Sequence, residues 1–178
     1  SDVYKRQDVM RFLDNVLSDF INKAPDQFKD AKYSAERERS VGLGVMGFHS
    51  FLQKKRIPLE SVMAKSWNKK IFKQIDEQVN RASKDLAEER GACPDAAEYG
   101  YMERFSNKTA IAPTASISII CGGASPGVEP IAANSYTHKT LSGSFNVRNR
   151  YLEEILESHG KNDDDCLLYT SPSPRDIS

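Results

Sequence analysis

The feature that most constrains the fold of this chain is a short apolar segment that ends at a proline and is followed by small hydroxylated residues. Residues 109–112, with the sequence TAIA, are typical of a buried strand, and Pro113 ends it. A second apolar run begins at Ile117, so residues 113–117 are predicted to form a tight turn that leads into a helix. The first backbone N–H groups of a helix have no partner within it, and the helix dipole is positive there. The turn is therefore a candidate site for an anion, most often a phosphate.

Four residues of this turn are candidates for holding the anion. The backbone N–H groups of Ala115, Ser116 and Ile117 would point at it, and the hydroxyl groups of Thr114 and Ser116 would add two donors. Ala115 has a small side chain that leaves room for a ligand to approach the backbone. The competing interpretation is that Thr114 only caps the helix, because Ser and Thr are common at that position.

Upstream of the turn, apolar residues recur at helical spacing in three stretches. The first predicted helix ends before Pro25, and the charged residues 26–38 are expected to form an irregular link. The second carries the apolar residues between Val41 and Leu52. The third runs from about Trp67 and stops at Gly91, since glycine commonly follows the last turn of a helix.

Downstream of the turn, the chain is predicted to be mixed. A loop rich in Gly, Ser and Pro is expected over residues 122–130, followed by a strand near residues 135–141. A last helix is predicted over Tyr151 to Ser158. The sequence contains no internal repeat.

The glycines at 42, 44 and 47 spell G-x-G-x-x-G, the fingerprint of dinucleotide-binding folds. That motif requires a buried strand before it, whereas residues 36–40, ERERS, are charged and polar. We therefore expect the glycines to lie within a helix and to allow close packing against a neighbouring element. A Rossmann-type nucleotide-binding protein remains the distant alternative, and it predicts a strand leading into Gly42.

Composition excludes several classes of function. The 25 basic and 25 acidic residues balance, so no nucleic-acid-binding surface is indicated. No apolar run reaches the length of about 20 residues that spans a bilayer, and no signal peptide is visible, so the cytoplasm is the expected location. Cys93 and Cys121 do not form a CxxC pair and are not spaced with histidines as metal ligands are, so no metal site is predicted.

Five blocks of sequence, in order, carry a resemblance to a known family. They are RSVGLGVMGFHSFL, IPLES, WNKKIFKQIDEQVNRASKDLAEERG, PTASISIICGGASPGVEP and NSYTHKTLSGSFNVRN. Together they resemble the large (α) subunit of class I ribonucleotide reductase. The resemblance implies an α/β fold class: part of that subunit's ten-stranded α/β barrel, from its second half, with a helix-rich N-terminal portion.

The resemblance also implies an activity and partners. Enzymes of this family reduce ribonucleoside diphosphates to deoxyribonucleoside diphosphates for DNA synthesis, and their Pro-Thr-Ala-Ser turn cradles the substrate diphosphate. By this likeness, Thr114, Ala115, Ser116 and Ile117 are the substrate-binding residues of this chain. The expected partners are the small (β) subunit, which stores the radical, thioredoxin or glutaredoxin as electron donor, and a second α subunit. No cofactor is expected within this segment.

The catalytic residues implied by the resemblance are expected outside this segment. Cys121 lies in an apolar run where a cysteine behaves as a small hydrophobic residue, and Cys93 matches no cysteine motif of the family. Glu129 is similar to the family's Gly-Ile-Glu-Pro element and is expected to accept hydrogen bonds from backbone amides of a turn. The segment is thus predicted to bind substrate and to contribute no reacting group.

The two ends differ from the rest. Residues 1–7, SDVYKRQ, and residues 166–178, CLLYTSPSPRDIS, resemble translated adapters from sequencing libraries, so residues 8–165 are expected to be the genuine fragment. The composition of the C-terminal stretch would also permit a disordered tail.

A class II, adenosylcobalamin-dependent reductase, which has the same barrel, is the nearer alternative to class I. A segment cut from a barrel would expose strand edges and apolar faces, so it is not expected to be a stable monomer by itself.

Overall fold

The computed structural model describes residues 2–140 and 143–161, and it divides the chain into two compact units. The first unit contains the residues up to Val45 together with Val62–Ala112. The second contains Met46–Ser61 together with the residues from Pro113 onward. Helices α1 to α7 span Asp2–Lys23, Lys29–Glu38, Phe48–Lys54, Val62–Arg90, Pro94–Glu98, Ala115–Ile120 and Arg150–Ser158.

The described part of the chain is mostly helical and contains little sheet. Its two strands, β1 (Ser135–Thr140) and β2 (Gly143–Arg148), form an antiparallel pair in which Ser135 faces Arg148. The predicted strand is confirmed over β1, while Leu141 lies outside the described residues. None of the helices described is long and apolar enough to cross a bilayer.

The core of the first unit is one face of α4. Side chains spaced three or four residues apart on α4 are buried together with one residue of α1 and one of the loop after α5. They are Ile75, Val79, Ala82 and Leu86 of α4, Met10 of α1 and Phe105 of the loop. The predicted third helix is therefore confirmed. It ends at Gly91, whose φ of +89° and N–H bond to the carbonyl of Ala87 (2.8 Å) close the last turn.

Helix α1 also follows the prediction and ends before Pro25, but much of its apolar face is exposed. Val9, Phe12, Val16 and Phe20 lie on the surface, and the Phe12 side chain is 63% exposed. Among the side chains of this helix from Gln7 onward, Met10 and Asp14 are the fully buried ones instead. An apolar face of this size on the surface is typical of a surface that contacts another element or protein.

The prediction of an irregular link over residues 26–38 is wrong. A 3-10 turn at Asp26–Phe28 is followed by α2, in which no residue is buried. Arg37 of α2 forms ion pairs with Asp95 and, at 2.7 Å, with Glu98 of α5. Apolar periodicity reports burial, so a helix held at the surface by charged side chains leaves no such pattern.

The prediction of a helix through Gly42 to Gly47 is also wrong, because α3 begins only at Phe48. Leu43 instead forms a parallel β-bridge with Thr109, and its N–H donates to the carbonyl of Lys108 at 3.0 Å. A short pairing of extended segments thus replaces the expected helical turn.

The expected packing role of the glycines holds on this extended backbone. A Cβ atom on Gly44 would lie 2.5 Å from the carbonyl oxygen of Ala110, and one on Gly42 would lie 2.8 Å from the Ala110 Cβ. A dinucleotide-binding turn needs its glycine backbone open to a pyrophosphate. Here Ala110 occupies that space, and this contact, not a helix, argues against the Rossmann alternative.

The predicted buried strand over residues 109–112 is reduced to one bridging residue. Thr109 alone belongs to a β-bridge, and all four residues are exposed, with Ile111 at 66%. A strand of this kind is buried only when other elements cover both of its faces. The described residues of the first unit provide one pairing segment and no such cover.

The second unit contains α3, α6, the predicted loop over residues 122–130, the β1–β2 hairpin and α7. The predicted last helix is confirmed as α7, and the side chain of Asn149 accepts a hydrogen bond from the N–H of Tyr151 at 3.2 Å as its cap. The second strand of the hairpin was not predicted, although its residues from Ser144 to Arg148 alternate between polar and apolar.

Candidate anion-binding turn

The turn after Pro113 has an unusual backbone conformation. Thr114 adopts φ +53° and ψ +27°, in the left-handed region, and α6 starts at the next residue. This conformation is rare for a β-branched residue and costs roughly 1–2 kcal/mol. Surrounding contacts must therefore hold Thr114 in place.

Thr114 occupies the N-cap position of α6, but it is not a simple helix cap. Its side chain makes no capping bond to α6, and its Oγ1 accepts a hydrogen bond from the N–H of Gly127 at 2.8 Å. A hydroxyl that accepts one bond can still donate its own hydrogen. The Thr114 hydroxyl is thus tied to the loop over residues 122–130 and retains one donor.

The first amides of α6 make no hydrogen bond to any described residue. The first bond of the helix runs from the N–H of Ser118 to the carbonyl of Thr114, at 2.8 Å. The N–H groups of Ala115, Ser116 and Ile117 precede it and have no acceptor among the described residues. All three residues are exposed, Ile117 to 56%. The four predicted site residues therefore form one accessible turn.

The loop over residues 122–127 returns along α6 and closes its C-terminal end. The N–H of Gly123 donates to Ile119 (3.3 Å) and that of Ala124 to Ser118 (3.1 Å). These bonds satisfy carbonyl groups that a short helix would otherwise leave without partners. The same loop then reaches Thr114 through Gly127, so it contacts α6 at both ends.

A pair of buried serines fixes this loop to α3. The N–H of Ser50 donates to Ser125 Oγ (3.0 Å), and the N–H of Ser125 donates to Ser50 Oγ (2.9 Å). The N–H of Gly47 also donates to the carbonyl of Ser125 at 2.8 Å. Sequence reasoning missed this pair, because two serines 75 positions apart carry no periodic or motif signal.

A neighbouring bond involves a histidine. The N–H of Ile131 donates to His49 Nδ1 at 3.2 Å, and burial lowers the pKa of His49. An Nδ1 that accepts a bond places the proton of the neutral ring on Nε2. The neutral ring therefore helps to hold the end of the loop on α3.

A cavity of about 570 Å³ lies beside α6 in the second unit. Its wall is mostly apolar and includes Ala115 and Ser118 of α6, Gln53 of α3 and Tyr151 of α7. Gln53 Oε1 is buried and has no hydrogen-bond partner among the described residues. No sequence pattern pointed to Gln53.

The structure places both cysteines and Glu129. Cys121 is exposed at the end of α6, whereas Cys93 is buried at the start of α5. Glu129 is exposed and donates its backbone N–H to Pro126 (3.1 Å), while its carboxylate makes no bond within the described part of the chain. The same part contains no group of three or more His, Cys, Asp or Glu side chains placed to hold a metal ion.

Comparison with known proteins places these features in a family. Residues 3–103 and 94–168 match the model of the ribonucleotide reductase barrel domain. The chain is 49% identical over 150 residues to the ribonucleoside-diphosphate reductase large subunit of Invertebrate iridescent virus 3. The matched region covers 84% of this chain and 24% of the relative. It is 39% identical over 138 residues to the vitamin B12-dependent ribonucleoside-diphosphate reductase of Thermoplasma acidophilum, covering 75% of this chain and 17% of the relative.

A solved structure agrees with these matches. The α subunit of the class Id ribonucleotide reductase of Actinobacillus ureae superposes with a TM-score of 0.81 and 33% sequence identity, over 97% of this chain and 32% of that subunit. The chain spans about a quarter of the length of the viral relative. From the family match, the sequence identities and this superposition together, we conclude that the chain belongs to the ribonucleotide reductase family and is part of its large-subunit barrel domain.

Proposed function

We propose that this chain is part of the α subunit of a class I ribonucleoside-diphosphate reductase and that the turn at residues 113–117 holds the diphosphate of the substrate. The complete enzyme would reduce ribonucleoside diphosphates to deoxyribonucleoside diphosphates. The observation that carries the proposal is the set of three exposed, unpartnered N–H groups on Ala115, Ser116 and Ile117 in a chain of this family.

The chemistry of the turn suits a diphosphate. Backbone N–H groups and hydroxyls are uncharged donors. Their hydrogen bonds to charged oxygens are stronger than their hydrogen bonds to uncharged oxygens. Thr114 Oγ1 is held by Gly127, so its hydrogen would be directed without a further loss of rotamer freedom. Ile117 would contribute only its amide. Such a site binds and orients the substrate and takes no part in proton or electron transfer.

The barrel itself belongs to the proposal. Exposed apolar side chains on α1, α6 and residues 109–112 would contact other parts of a ten-stranded α/β barrel in the complete subunit. Thr109 and Leu43 would lie on two of its parallel strands. The short parallel β-bridge between these two residues supports this placement. The exposed Ile111 would then become buried.

Partners and electron supply follow from the class. We propose that the complete protein binds a small (β) subunit that stores the radical and that it pairs with a second α subunit. Thioredoxin or glutaredoxin would supply the electrons. Neither Cys93 nor Cys121 is assigned a redox role, so the cysteines that reduce the ribose would lie elsewhere in the complete protein.

A class II enzyme is the second candidate, supported by the 39% identity to a vitamin B12-dependent relative. The higher identity to the viral large subunits, 49%, favours class I. Activity of the complete protein that requires added small subunit supports class I, whereas activity restored by adenosylcobalamin alone supports class II.

The diphosphate site is tested by removing both hydroxyls of the turn in the complete enzyme. We expect the variant T114A/S116A to raise KM for a ribonucleoside diphosphate about tenfold or more, because hydrogen bonds to charged groups contribute about 1.5–3 kcal/mol each. The value of kcat should change little, since binding that is equal in the ground and transition states affects KM alone. Steady-state kinetics with saturating small subunit and reductant measure both constants.

The matched control is S66A, which removes an exposed hydroxyl from α4 in the other unit. It should leave both constants unchanged. A T114A/S116A variant with the same KM as S66A would refute the diphosphate assignment.

The ends of the chain are a separate proposal. Residues 1–7 and 166–178 would derive from adapters, and residues 166–178 lie outside the described part of the structure. Reading the gene from source DNA prepared without those adapters tests this, because the genuine gene would carry other codons at both positions.

A further inference from the structure

We propose that Ser50 and Ser125 are positioning residues for the diphosphate turn: their mutual hydrogen bonds hold the loop that fixes Thr114. This inference rests on the proposed function of the turn. Neither serine would touch the substrate, and both would act through Gly127 and Thr114.

The first step is the closed pair itself. Each serine accepts, through its Oγ, a hydrogen bond from the backbone N–H of the other, at 3.0 and 2.9 Å, and both are buried. Loss of either hydroxyl would leave a buried N–H without a partner. Movement of the loop away from α3 toward water would satisfy that N–H.

The second step is the short path from the pair to the turn. Gly127 follows Ser125 by two residues, and its N–H donates to Thr114 Oγ1 at 2.8 Å. Gly127 is buried, with φ +47°, a conformation that glycine adopts freely. Because Gly127 lies only two positions after Ser125, a displacement of Ser125 would also move Gly127 and break its hydrogen bond to Thr114.

The third step is the conformation of Thr114. A threonine at φ +53° is unfavourable by itself and persists only where neighbours hold it. Among the described residues, the bond from Gly127 is the one hydrogen bond that the Thr114 side chain makes. If that bond is lost, Thr114 can return to negative φ, and the N–H groups of Ala115 to Ile117 would no longer converge.

The test uses the complete reductase with its small subunit. We expect S50A and S125A each to raise KM for a ribonucleoside diphosphate about tenfold, while kcat changes less than about twofold. Inorganic pyrophosphate, used as a competitive inhibitor, should lose affinity by the same factor. The conservative variant S50T keeps a hydroxyl and should restore KM to within about threefold of the wild-type value.

The matched control is S83A. Ser83 is also fully buried, and its Oγ also accepts from loop amides, those of Arg104 and Phe105, but it lies in the other unit. Its loss should lower thermal stability without changing KM. Because KM does not depend on the amount of folded enzyme, partial unfolding of any variant would lower kcat alone. If S125A yields no soluble protein, S125C, whose sulfur is a weaker acceptor, should give an intermediate rise in KM.

Unchanged KM and pyrophosphate affinity in S50A and S125A, with a loss of stability like that of S83A, would overturn the positioning role. The parallel T114A/S116A variant separates the two failures. A raised KM in T114A/S116A with normal KM in the serine variants rejects this inference alone, whereas normal KM in all of them rejects the diphosphate site itself.

Discussion

Asp14 of α1 provides the sharpest test of what holds the first unit together. Its buried carboxylate accepts hydrogen bonds from three arginines: Arg39 Nη2 (2.6 Å), Arg90 Nη1 (2.8 Å) and Arg104 Nε (2.8 Å). Burial raises the pKa of Asp14, but the bonds from Arg104, Arg39 and Arg90 outweigh it and bring the pKa below its ordinary value. The carboxylate therefore stays ionised and joins α1, α4 and two loops.

The variant D14N keeps the size of the side chain and removes its charge. Removing one partner of a buried ion pair costs about 3–5 kcal/mol. The cost here should be smaller, because the Arg90 side chain is 28% exposed and Arg39 also donates to Ser18 Oγ. We expect a loss of about 2–4 kcal/mol in the local stability of this unit, after that partial compensation.

Hydrogen exchange followed by mass spectrometry on the complete subunit measures this loss locally. Three kcal/mol corresponds to about a hundredfold faster exchange, since each 1.4 kcal/mol is a factor of ten. The affected amides should be those of α1 and α4. The matched control is D19N, which breaks an exposed pair on the same helix between Asp19 and Lys23 (2.7 Å) and should change exchange less than fivefold. Equal exchange in D14N and D19N would refute the reasoning that the buried cluster stabilises this unit.

Three further predictions concern pH, a glycine and the isolated chain. Burial lowers the folded-state pKa of His49 below its ordinary value of 6.5, so the contribution of His49 to stability is complete above about pH 6.5 and declines as the pH falls through the lowered folded value. Hydrogen exchange of the Ile131 amide should therefore accelerate as the pH falls over that range. An exchange rate with no pH dependence beyond the intrinsic one would contradict this. The variant G44A should destabilise the complete subunit in thermal unfolding by more than G122A. The Cβ of G44A would lie 2.5 Å from the Ala110 carbonyl oxygen, whereas the Cβ of G122A would meet open space and cost only the strain of alanine at a positive φ. Equal losses would disprove the contact. The 178-residue chain alone should elute from gel filtration as an oligomer because the apolar face of α1 is exposed, and a soluble monomer with a cooperative melt would count against it.

The sequence predicted helices well where buried residues recur at regular spacing or where Gly or Pro ends the helix. The apolar spacing of α4 and the glycine at its end located that helix, and Pro25 located the end of α1. It failed for α2, whose side chains are solvated and paired by charge, and for residues 41–47, where glycines and valines suit a helix face and an extended segment equally. Local pattern does not distinguish these states when the deciding contact, here Ala110, is far along the chain.

The site shows the same division. The residue types of the turn, its proline and the start of α6 are encoded locally, so the four residues Thr114 to Ile117 could be named from the sequence. Their arrangement could not: the left-handed Thr114, its bond from Gly127 and the Ser50–Ser125 pair depend on segments brought together from distant positions.

By itself, the sequence determined the family, the longest helices and which residues form the turn, because each of these depends on neighbouring residues and ordered motifs. Only the tertiary structure decided that the Thr114 side chain makes no capping bond to α6, that Asp14 is the buried charge to which three arginines bind, and that a loop anchored on α3 supports the turn. The physical reason is that hydrogen bonds between buried polar groups require close placement in space, and groups 13 to 90 positions apart acquire that placement only when the chain folds.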